Sequence, residues 1–237
     1  RARAVPSSNT GESYAGEHTL VEILKPIPLL SQAAVATAPF VLPKLPVKVN
    51  QYWTFQTGAG DSPTFPVVAF QLYASPVYEE FIRLLEKVSP NHAGKVRGDA
   101  AAAIQTRVTA RSIRDMRTIF ESDPSIGEKM MAELEQTRPV GDENRYKLLK
   151  ALVKMHAGAN RRYLNYYGPP RTLSTIPFYQ VLRLGEGPET KPLDLKGKAV
   201  FIGLSEIWLT EKRDSFYTVF SRDKGVFISG VEIAATA

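Results

Sequence analysis

Apolar positions recur with helical spacing in the middle of the chain. Between residues 76 and 88 they fall on one helical face, and Ser75 with Pro76 supplies an N-cap and a first-turn proline. Three further helices are predicted between about 99 and 158, which we interpret as a helical insert. The apolar positions of the four helices are Val77, Phe81, Leu84, Leu85 and Val88; Ile104, Val108, Met116, Ile119 and Phe120; Met130, Met131 and Leu134; and Tyr146, Leu149, Leu152, Val153 and His156.

The pattern before residue 76 is less regular. Residues 1–19 are polar and predict a loop. Prolines then restrict any helix between 26 and 46 to one or two turns around residues 29–36. The apolar run at 66–73 fits a buried strand and the start of a buried helix equally well.

After residue 160, strand and helix patterns alternate. An aromatic run at 161–167 predicts a strand, residues around 177–182 a short helix, and residues 199–202 an apolar strand ending at Gly203. Strand, helix and strand in this order predict a βαβ unit with parallel strands. A further strand is expected at 226–228. The predicted fold class is therefore α/β: one domain over 1–237, with a mixed, partly parallel sheet flanked by helices and the helical insert.

Composition narrows the chemistry. The chain has 237 residues, 43% of them hydrophobic, and no cysteine, so it can bury a core but has neither disulfides nor thiolate metal sites. The histidines at 18, 92 and 156 lack metal-ligand spacing, and neither a P-loop nor a dinucleotide fingerprint is present. We therefore predict no metal and no cofactor.

The net charge of +6 favours anionic surfaces. No nucleic-acid-binding module is recognisable, so nucleic acid is not an expected partner. Arginines recur every three or four residues at Arg107, Arg111, Arg114 and Arg117. Two interpretations remain: a solvated helix face, or contact with anionic lipid headgroups or an acidic ligand.

Candidate ligand-binding residues follow from the predicted sheet, because open parallel sheets bind ligands beyond the carboxyl ends of their strands. These residues are Tyr166, Tyr167, Ser205, Glu206 and Asp214. In the alternative interpretation, Tyr167 only caps the core, and the glycines at 168 and 203 only serve turns. A nucleophilic serine at 205 would need a second glycine where Ile207 stands, so no catalytic residue is predicted.

Three motifs of the last third recur in order and spacing in a known family. They are Asn165-Tyr166-Tyr167-Gly168-Pro169-Pro170 with Thr175-Ile176-Pro177-Phe178; Leu195-Lys196-Gly197-Lys198-Ala199-Val200-Phe201-Ile202-Gly203; and Asp214-Ser215-Phe216 with Gly230-Val231-Glu232-Ile233-Ala234. In these motifs the chain resembles the second type of the CHASE family of extracellular sensory domains, found on bacterial adenylate cyclases and on histidine or Ser/Thr kinases. Residues 86–158 show no such resemblance. Leu204-Ser205 and Ala234 depart from the family's usual residues, which puts a shared ligand in doubt.

The resemblance implies a non-catalytic signal-input domain on the extracytoplasmic face of the bacterial inner membrane. It also implies transmembrane helices beyond Ala237 and a cytoplasmic output, an adenylate or guanylate cyclase rather than a kinase. We expect an unknown small-molecule or surface stimulus to move the helix that starts at Gly230, Val231 and Glu232, the candidate signal-coupling residues. A ligand-free dimerisation module, with the domain acting as a homodimer, and, as the weakest case, a secreted hydrolase remain as alternatives.

Overall fold

The computed structural model describes nine ranges of the chain: 2–5, 20–23, 25–42, 48–93, 109–138, 141–182, 194–205, 215–221 and 227–237. The chain divides into two compact units. Unit 1 consists of Arg1–Val41 and Trp53–Arg162, and unit 2 of Leu42–Tyr52 and Tyr163–Ala237. The boundaries fall within β3 (Gln51–Trp53) and β6 (Arg161–Tyr163), which form a two-stranded sheet.

Unit 1 contains two further strand pairs and a short first helix. Strand β1 (Ala2–Val5) pairs antiparallel with β2 (Leu20–Ile23), and β4 (Phe55–Gln56) pairs antiparallel with β5 (Ser62–Pro63). Helix α1 (Pro28–Ala33) has a proline in its first turn and ends at Ala33, in agreement with the one or two turns predicted here.

Most of unit 1 is helical. Its other α-helices are α2 (Phe65–Tyr73), α3 (Tyr78–Val88), α4 (Pro90–Ala93), α5 (Thr109–Ser122), α6 (Ser125–Gln136) and α7 (Glu143–Ala157). The ambiguous run at 66–73 is thus a helix. Ser75–Val77 forms a 3₁₀ turn, so α3 begins two residues later than predicted. The sequence predicts that Asp123-Pro124 opens α6 and Gly141-Asp142 opens α7, and both starts are confirmed. Asp142 caps α7 by accepting a hydrogen bond from Arg145 N at 3.1 Å.

A single apolar core holds unit 1 together. The side chains of α5, α6 and α7 lie in the same buried cluster as those of β4, α2 and α3. Phe81 of α3 stacks on Phe120 of α5, with 6.3 Å between ring centroids. Gly127 lets α6 approach α7 closely, because a Cβ built there would lie 2.6 Å from Ala157 Cβ. The helices predicted as an insert therefore supply much of this core.

Unit 2 contains α8 (Phe178–Leu182), the antiparallel pair β7 (Ser215–Phe216) and β8 (Ile228–Ser229), and α9 (Gly230–Thr236). The predicted helix near 177–182 and the predicted helix start at Gly230 are confirmed. The expected strand at 226–228 overlaps β8 only at Ile228, and residue 226 lies outside the described residues. The chain is thus a mixed α/β protein. Within the described ranges, no helix combines the length and the apolar character needed to span a membrane.

The predicted apolar strand at 199–202 is wrong. Residues 198–205 have no regular secondary structure, and the side chains of Val200 and Ile202 are 55% and 82% exposed. A parallel strand needs a neighbour, and β6, the expected one, pairs with β3 instead. Strand β6 is also shorter than predicted and ends at Tyr163. The strand pairs whose register is defined are antiparallel, so a partly parallel sheet is not found among the described residues.

Candidate functional site

The first turn of α9 is fixed by reciprocal hydrogen bonds between its cap and its third residue. Glu232 N donates to Ser229 Oγ at 3.4 Å, and Ser229 Oγ donates to Glu232 Oε2 at 3.3 Å. Serine at the cap followed three residues later by glutamate is the sequence of a capping box. The carboxylate also lies near the positive end of the helix dipole. Glu232 therefore both starts α9 and stabilises it.

The other carboxylate oxygen of Glu232 binds a loop. Arg171 N donates to Glu232 Oε1 at 2.5 Å. Arg171 has φ of +69°, a left-handed conformation that is uncommon for residues other than glycine and asparagine. This backbone turn follows Gly168-Pro169-Pro170 of the first resemblance motif. The loop is thus bonded to the first turn of α9 through its backbone.

Val231 is in contact with a second motif segment. A Cβ built on Gly203 would lie 2.7 Å from Val231 Cβ and 2.9 Å from its Cγ2. Real Cβ atoms essentially never come so close to such atoms, so the contact requires glycine at position 203 or movement of the helix. Two of the three predicted signal-coupling residues, Val231 and Glu232, are therefore each held by a different segment. The third, Gly230, is buried at the helix start.

The two predicted ligand-binding tyrosines have different environments. The hydroxyl of Tyr166 donates to Val49 O at 2.7 Å, and its ring meets Phe220 edge-on at 6.2 Å between centroids. Burial raises the pKa of Tyr166 to about 12, so it stays a neutral hydrogen-bond donor. Tyr167 is 70% exposed. Tyr166 thus has a structural contact, while Tyr167 can be reached from solvent.

A small cavity joins the tyrosines to the last helix. Its volume is about 10 Å³, which is close to the space that one buried water needs. Predicted ligand-binding and signal-coupling residues therefore meet at one place in unit 2, but the space between them is too small for an organic ligand. The cavity is lined by Tyr166, Tyr167, Gly168, Pro169, Thr172, Leu173, Ile228, Glu232 and Thr236.

Ser205, another predicted ligand-binding residue, is not brought to this cavity. Ser205 is half-buried and does not line it. Glu206 and Asp214 lie outside the described residues. Unit 2 contains no histidine, so it offers Ser205 no imidazole base of its own, which weighs against the hydrolase alternative.

One of the arginines predicted to contact anionic surfaces is buried instead. The Arg117 side chain is 9% exposed and forms an ion pair with Glu121 at 2.7 Å. Its Nη1 donates to the carbonyl oxygens of His156 and Gly158, the latter at 2.7 Å. These oxygens lie at the C-terminus of α7, where backbone acceptors lack helical partners and a positive charge is favourable. Arg117 therefore stabilises the end of α7, and a surface role for it is wrong.

Among the described residues, Arg111 and Arg114 do not form a stripe with Arg117. A three-residue step turns a helix by about 300°, so the two steps from Arg111 through Arg114 to Arg117 together shift the side chain by about 120° around α5. Arg111 is exposed beside Asp115 at 3.8 Å, and Arg114 Nη1 donates to Gly60 O at 3.4 Å. Arg107 lies outside the described residues.

His156 occupies the aromatic core of unit 1. It is fully buried, and its ring centroid lies 5.7 Å from those of Phe81 and Phe120. Neither ring nitrogen has a hydrogen-bond partner among the described residues. Burial, with a smaller contribution from the charges of Arg117 and Arg162, lowers the pKa of His156 to about 3. The imidazole is thus a neutral packing group. Among the described residues, no group of three or more acidic or histidine side chains is placed to hold a metal ion.

A comparison with protein families identifies the class, the sensory domains of signalling receptors. The family model described as CHASE2 domain matches residues 62–237, well over half of the chain. The chain belongs to the CHASE2 family, whose members are non-catalytic sensory modules that are typically extracytoplasmic. The match extends through 86–158, where the sequence alone shows no resemblance. Comparisons with curated proteins and with solved structures found no match.

Sequence reasoning missed two contacts at the site. No pattern indicates a left-handed backbone at Arg171, since glycine or asparagine usually marks that conformation. Gly203 was interpreted as a turn glycine, although its role is close approach to Val231. The Ser229-to-Glu232 spacing was a usable signal for the capping contact.

Proposed function

We propose that this chain is the signal-input domain of a bacterial transmembrane receptor and lies on the extracytoplasmic side of the inner membrane. The CHASE2 membership supports a sensory role, and the usual placement of the family supports the location. A fusion of the full-length gene product to a reporter active only outside the cytoplasm tests the location. We expect the reporter to be active when it is fused to this domain. We also expect the domain to be cleaved by protease added to spheroplasts. Reporter activity only in the cytoplasm would contradict it.

We infer that α9 carries the signal out of the domain. The observation behind this proposal is that the first turn of α9 is held from two sides, by the Arg171 loop at Glu232 and by Gly203 at Val231. A stimulus that moves either segment would move the start of the helix. Such a stimulus must bind the two arrangements with different affinity, because equal binding shifts no equilibrium.

The cavity constrains the kind of stimulus that the domain can bind. A small molecule bound among Tyr167, Pro169 and Glu232 would first have to enlarge a space that fits one water. Such a ligand would therefore change the loop that holds Glu232. A surface stimulus acting on exposed Tyr167 would reach the same loop directly.

Glu232→Ala in the full-length receptor, with the output measured in bacterial cells, tests the coupling. We expect loss of stimulus-dependent output at an unchanged membrane level, since the variant loses both the loop anchor and part of the cap. Glu128→Ala, a change in the first turn of α6 in unit 1, is the matched control and should keep the output. Wild-type output from Glu232→Ala would contradict the coupling role.

The output domain is proposed from the resemblance alone. We favour an adenylate or guanylate cyclase, with a histidine or Ser/Thr kinase as the alternative. Translation of the encoding gene past Ala237 distinguishes a cyclase output from a kinase output. Hydrophobic spans of about 20 residues followed by a cyclase or kinase domain would support the receptor. A stop codon without such a span would contradict it.

A further inference from the structure

The loop that binds Glu232 contains a tight turn at residues 169–172 of unit 2. Thr172 N donates to Pro169 O at 3.1 Å, which is the hydrogen bond that closes a four-residue β-turn. The second residue of the turn is Pro170, whose ring fixes φ at about −65°. The third residue, Arg171, has φ of +69°. Negative φ at the second position with positive φ at the third defines a type II turn.

Arginine is a poor residue for the third position of a type II turn. That position usually holds glycine or asparagine, because a Cβ disfavours the left-handed region by roughly tenfold in population. A type I turn differs mainly in the orientation of its central peptide, here the one between Pro170 and Arg171, and has negative φ at the third residue. Arg171 by itself therefore favours a turn in which this peptide is flipped.

The frame of the turn is compatible with both arrangements. Type I and type II turns share the closing hydrogen bond, and both accept proline at the second position. Thr172 Oγ1 donates a second bond to Pro169 O at 2.7 Å. Gly168 leaves room for this hydroxyl, since a Cβ built on Gly168 would lie 2.5 Å from Thr172 Oγ1. The ends of the turn are thus held, while the central peptide can rotate between them.

The carboxylate of Glu232 favours the turn that the structure contains. Arg171 N donates to Glu232 Oε1 at 2.5 Å, and the Arg171 side chain is exposed. A flip of the central peptide would turn this N–H away and bring the Pro170 carbonyl oxygen toward the carboxylate, where the two oxygens repel each other. A hydrogen bond to an ionised acceptor is about twice as strong as a neutral one, so it can offset the cost of a left-handed arginine.

We propose that the peptide between Pro170 and Arg171 is a two-state switch, and that Glu232 holds it in the arrangement that bonds the loop to α9. The opposing preferences of Arg171 and Glu232 are similar in size, which keeps the second arrangement accessible. A released carboxylate would find space for one water in the cavity that Glu232 lines. The switch can be measured in the purified chain, whereas its part in signalling rests on the function proposed for α9.

Solvent-exchange NMR of the purified 237-residue chain tests the switch through the protection factor of the residue-171 amide. Arg171→Gly removes the left-handed cost and should raise this protection about tenfold. Arg171→Ala retains the cost and is the matched control, expected within about twofold of the wild-type protection. Glu232→Gln keeps an acceptor oxygen but loses the charge, so the protection should fall about tenfold.

The Thr172 amide distinguishes a flip of one peptide from opening of the whole loop. Its hydrogen bond to Pro169 O belongs to both arrangements, so its protection should not change in the three variants. In Glu232→Gln, the nuclear Overhauser effect between Pro170 Hα and Arg171 N–H should weaken, since these hydrogens are close only in the type II turn. Parallel loss of protection at residues 171 and 172 would overturn the switch. So would equal protection in Arg171→Gly and Arg171→Ala.

The output of the full-length receptor in bacterial cells tests the signalling role separately. Arg171→Gly and Glu232→Gln bias the switch in opposite directions, so we expect their outputs to shift in opposite directions from that of the wild type. Equal outputs from the two variants, together with the expected exchange results, would overturn the role of α9 in signalling but not the switch.

Discussion

Unit 1 and unit 2 differ in where they place their large apolar side chains. Most of the largest fully buried side chains of the described residues belong to unit 1, and only Val49 and Ile233 belong to unit 2. Of the nineteen exposed large hydrophobic side chains among the described residues, thirteen are in unit 2. The chain thus concentrates its core in one unit and its exposed apolar surface in the other.

This difference separates stability from recognition. Unit 1 has a continuous apolar core. Burial of apolar surface is the dominant favourable term in folding. Unit 2 has few buried residues and depends more on specific contacts, such as those at Glu232 and Tyr166. Monomers rarely expose more than a few hundred Å² of contiguous apolar surface without a function for it. Because unit 2 exposes more large apolar side chains, we expect it to be the part that meets other molecules.

The largest expected effect tests the two apolar environments directly. Phe81→Ala removes a ring with 0% exposure from the core of unit 1, so the free energy of unfolding should fall by about 3–5 kcal/mol. Phe178→Ala removes a ring of unit 2 that is 61% exposed. This variant should change the free energy of unfolding by less than about 0.5 kcal/mol. Urea titration measures both. Equal losses of unfolding free energy in the two variants would contradict the difference between the two units.

A second pair of variants sharpens the description of unit 1. Arg117→Ala should lower the free energy of unfolding by about 3 kcal/mol, because it leaves the last carbonyls of α7 without their donor. Arg111→Ala on the same helix should change it by less than about 0.5 kcal/mol, since its ion pair is exposed. Thermal unfolding followed by circular dichroism measures the difference. Similar losses of unfolding free energy in the two variants would mean that Arg111 and Arg117 belong to one exposed surface.

Unit 2 should nonetheless be sensitive where it is tightly packed. Gly203→Ala adds a Cβ that must displace Val231, so we expect a loss of about 1–3 kcal/mol. Leu204→Ala, the neighbouring exposed position, should cost less than about 0.5 kcal/mol in the monomer. Hydrogen exchange of the α9 amides provides the readout. Unchanged protection in Gly203→Ala would refute the close contact.

A pH titration tests the buried imidazole of unit 1. The pKa of His156 is about 3 in the folded chain against an ordinary value of 6.5, so its stabilising contribution is complete above pH 6.5. Below pH 6.5 the unfolded chain binds the proton first, and stability should fall by about 1.4 kcal/mol per pH unit until about pH 3. His156→Phe should lack this slope between pH 6.5 and 5, before carboxylates titrate. Identical slopes in both proteins would place His156 in contact with solvent.

Much of unit 1 could be predicted from the sequence. The helices α3, α5, α6 and α7 carry long apolar stripes whose period is set by local geometry alone. The structure of residues 199–202 could not be predicted reliably, because a four-residue apolar run takes its structure from its neighbours. The predicted surface role of Arg117 was wrong for a related reason. Its burial depends on carbonyl groups at His156 and Gly158, about forty residues away in the chain.

The candidate site was partly predictable. Tyr166, Tyr167 and Glu232 were named from two separate arguments, and the structure places them around one cavity. The sequence did not predict that these three residues lie together, because the predicted parallel sheet placed other residues beside the two tyrosines. The Arg171 turn carries no glycine or asparagine to reveal it, so its contact with Glu232 had no sequence signal.

The position of Val49 has a consequence for the order of folding. Its backbone N donates to Tyr217 O at 2.7 Å, and its carbonyl accepts from Tyr166, which is 117 residues further along the chain. A ribosome therefore releases Val49 long before it makes either partner, and helices α2 to α7 of unit 1 emerge in between. We expect unit 1 to form during synthesis and unit 2 to close only when the last residues arrive. The helix proposed to carry the signal would then also be the last segment of this chain to find its place.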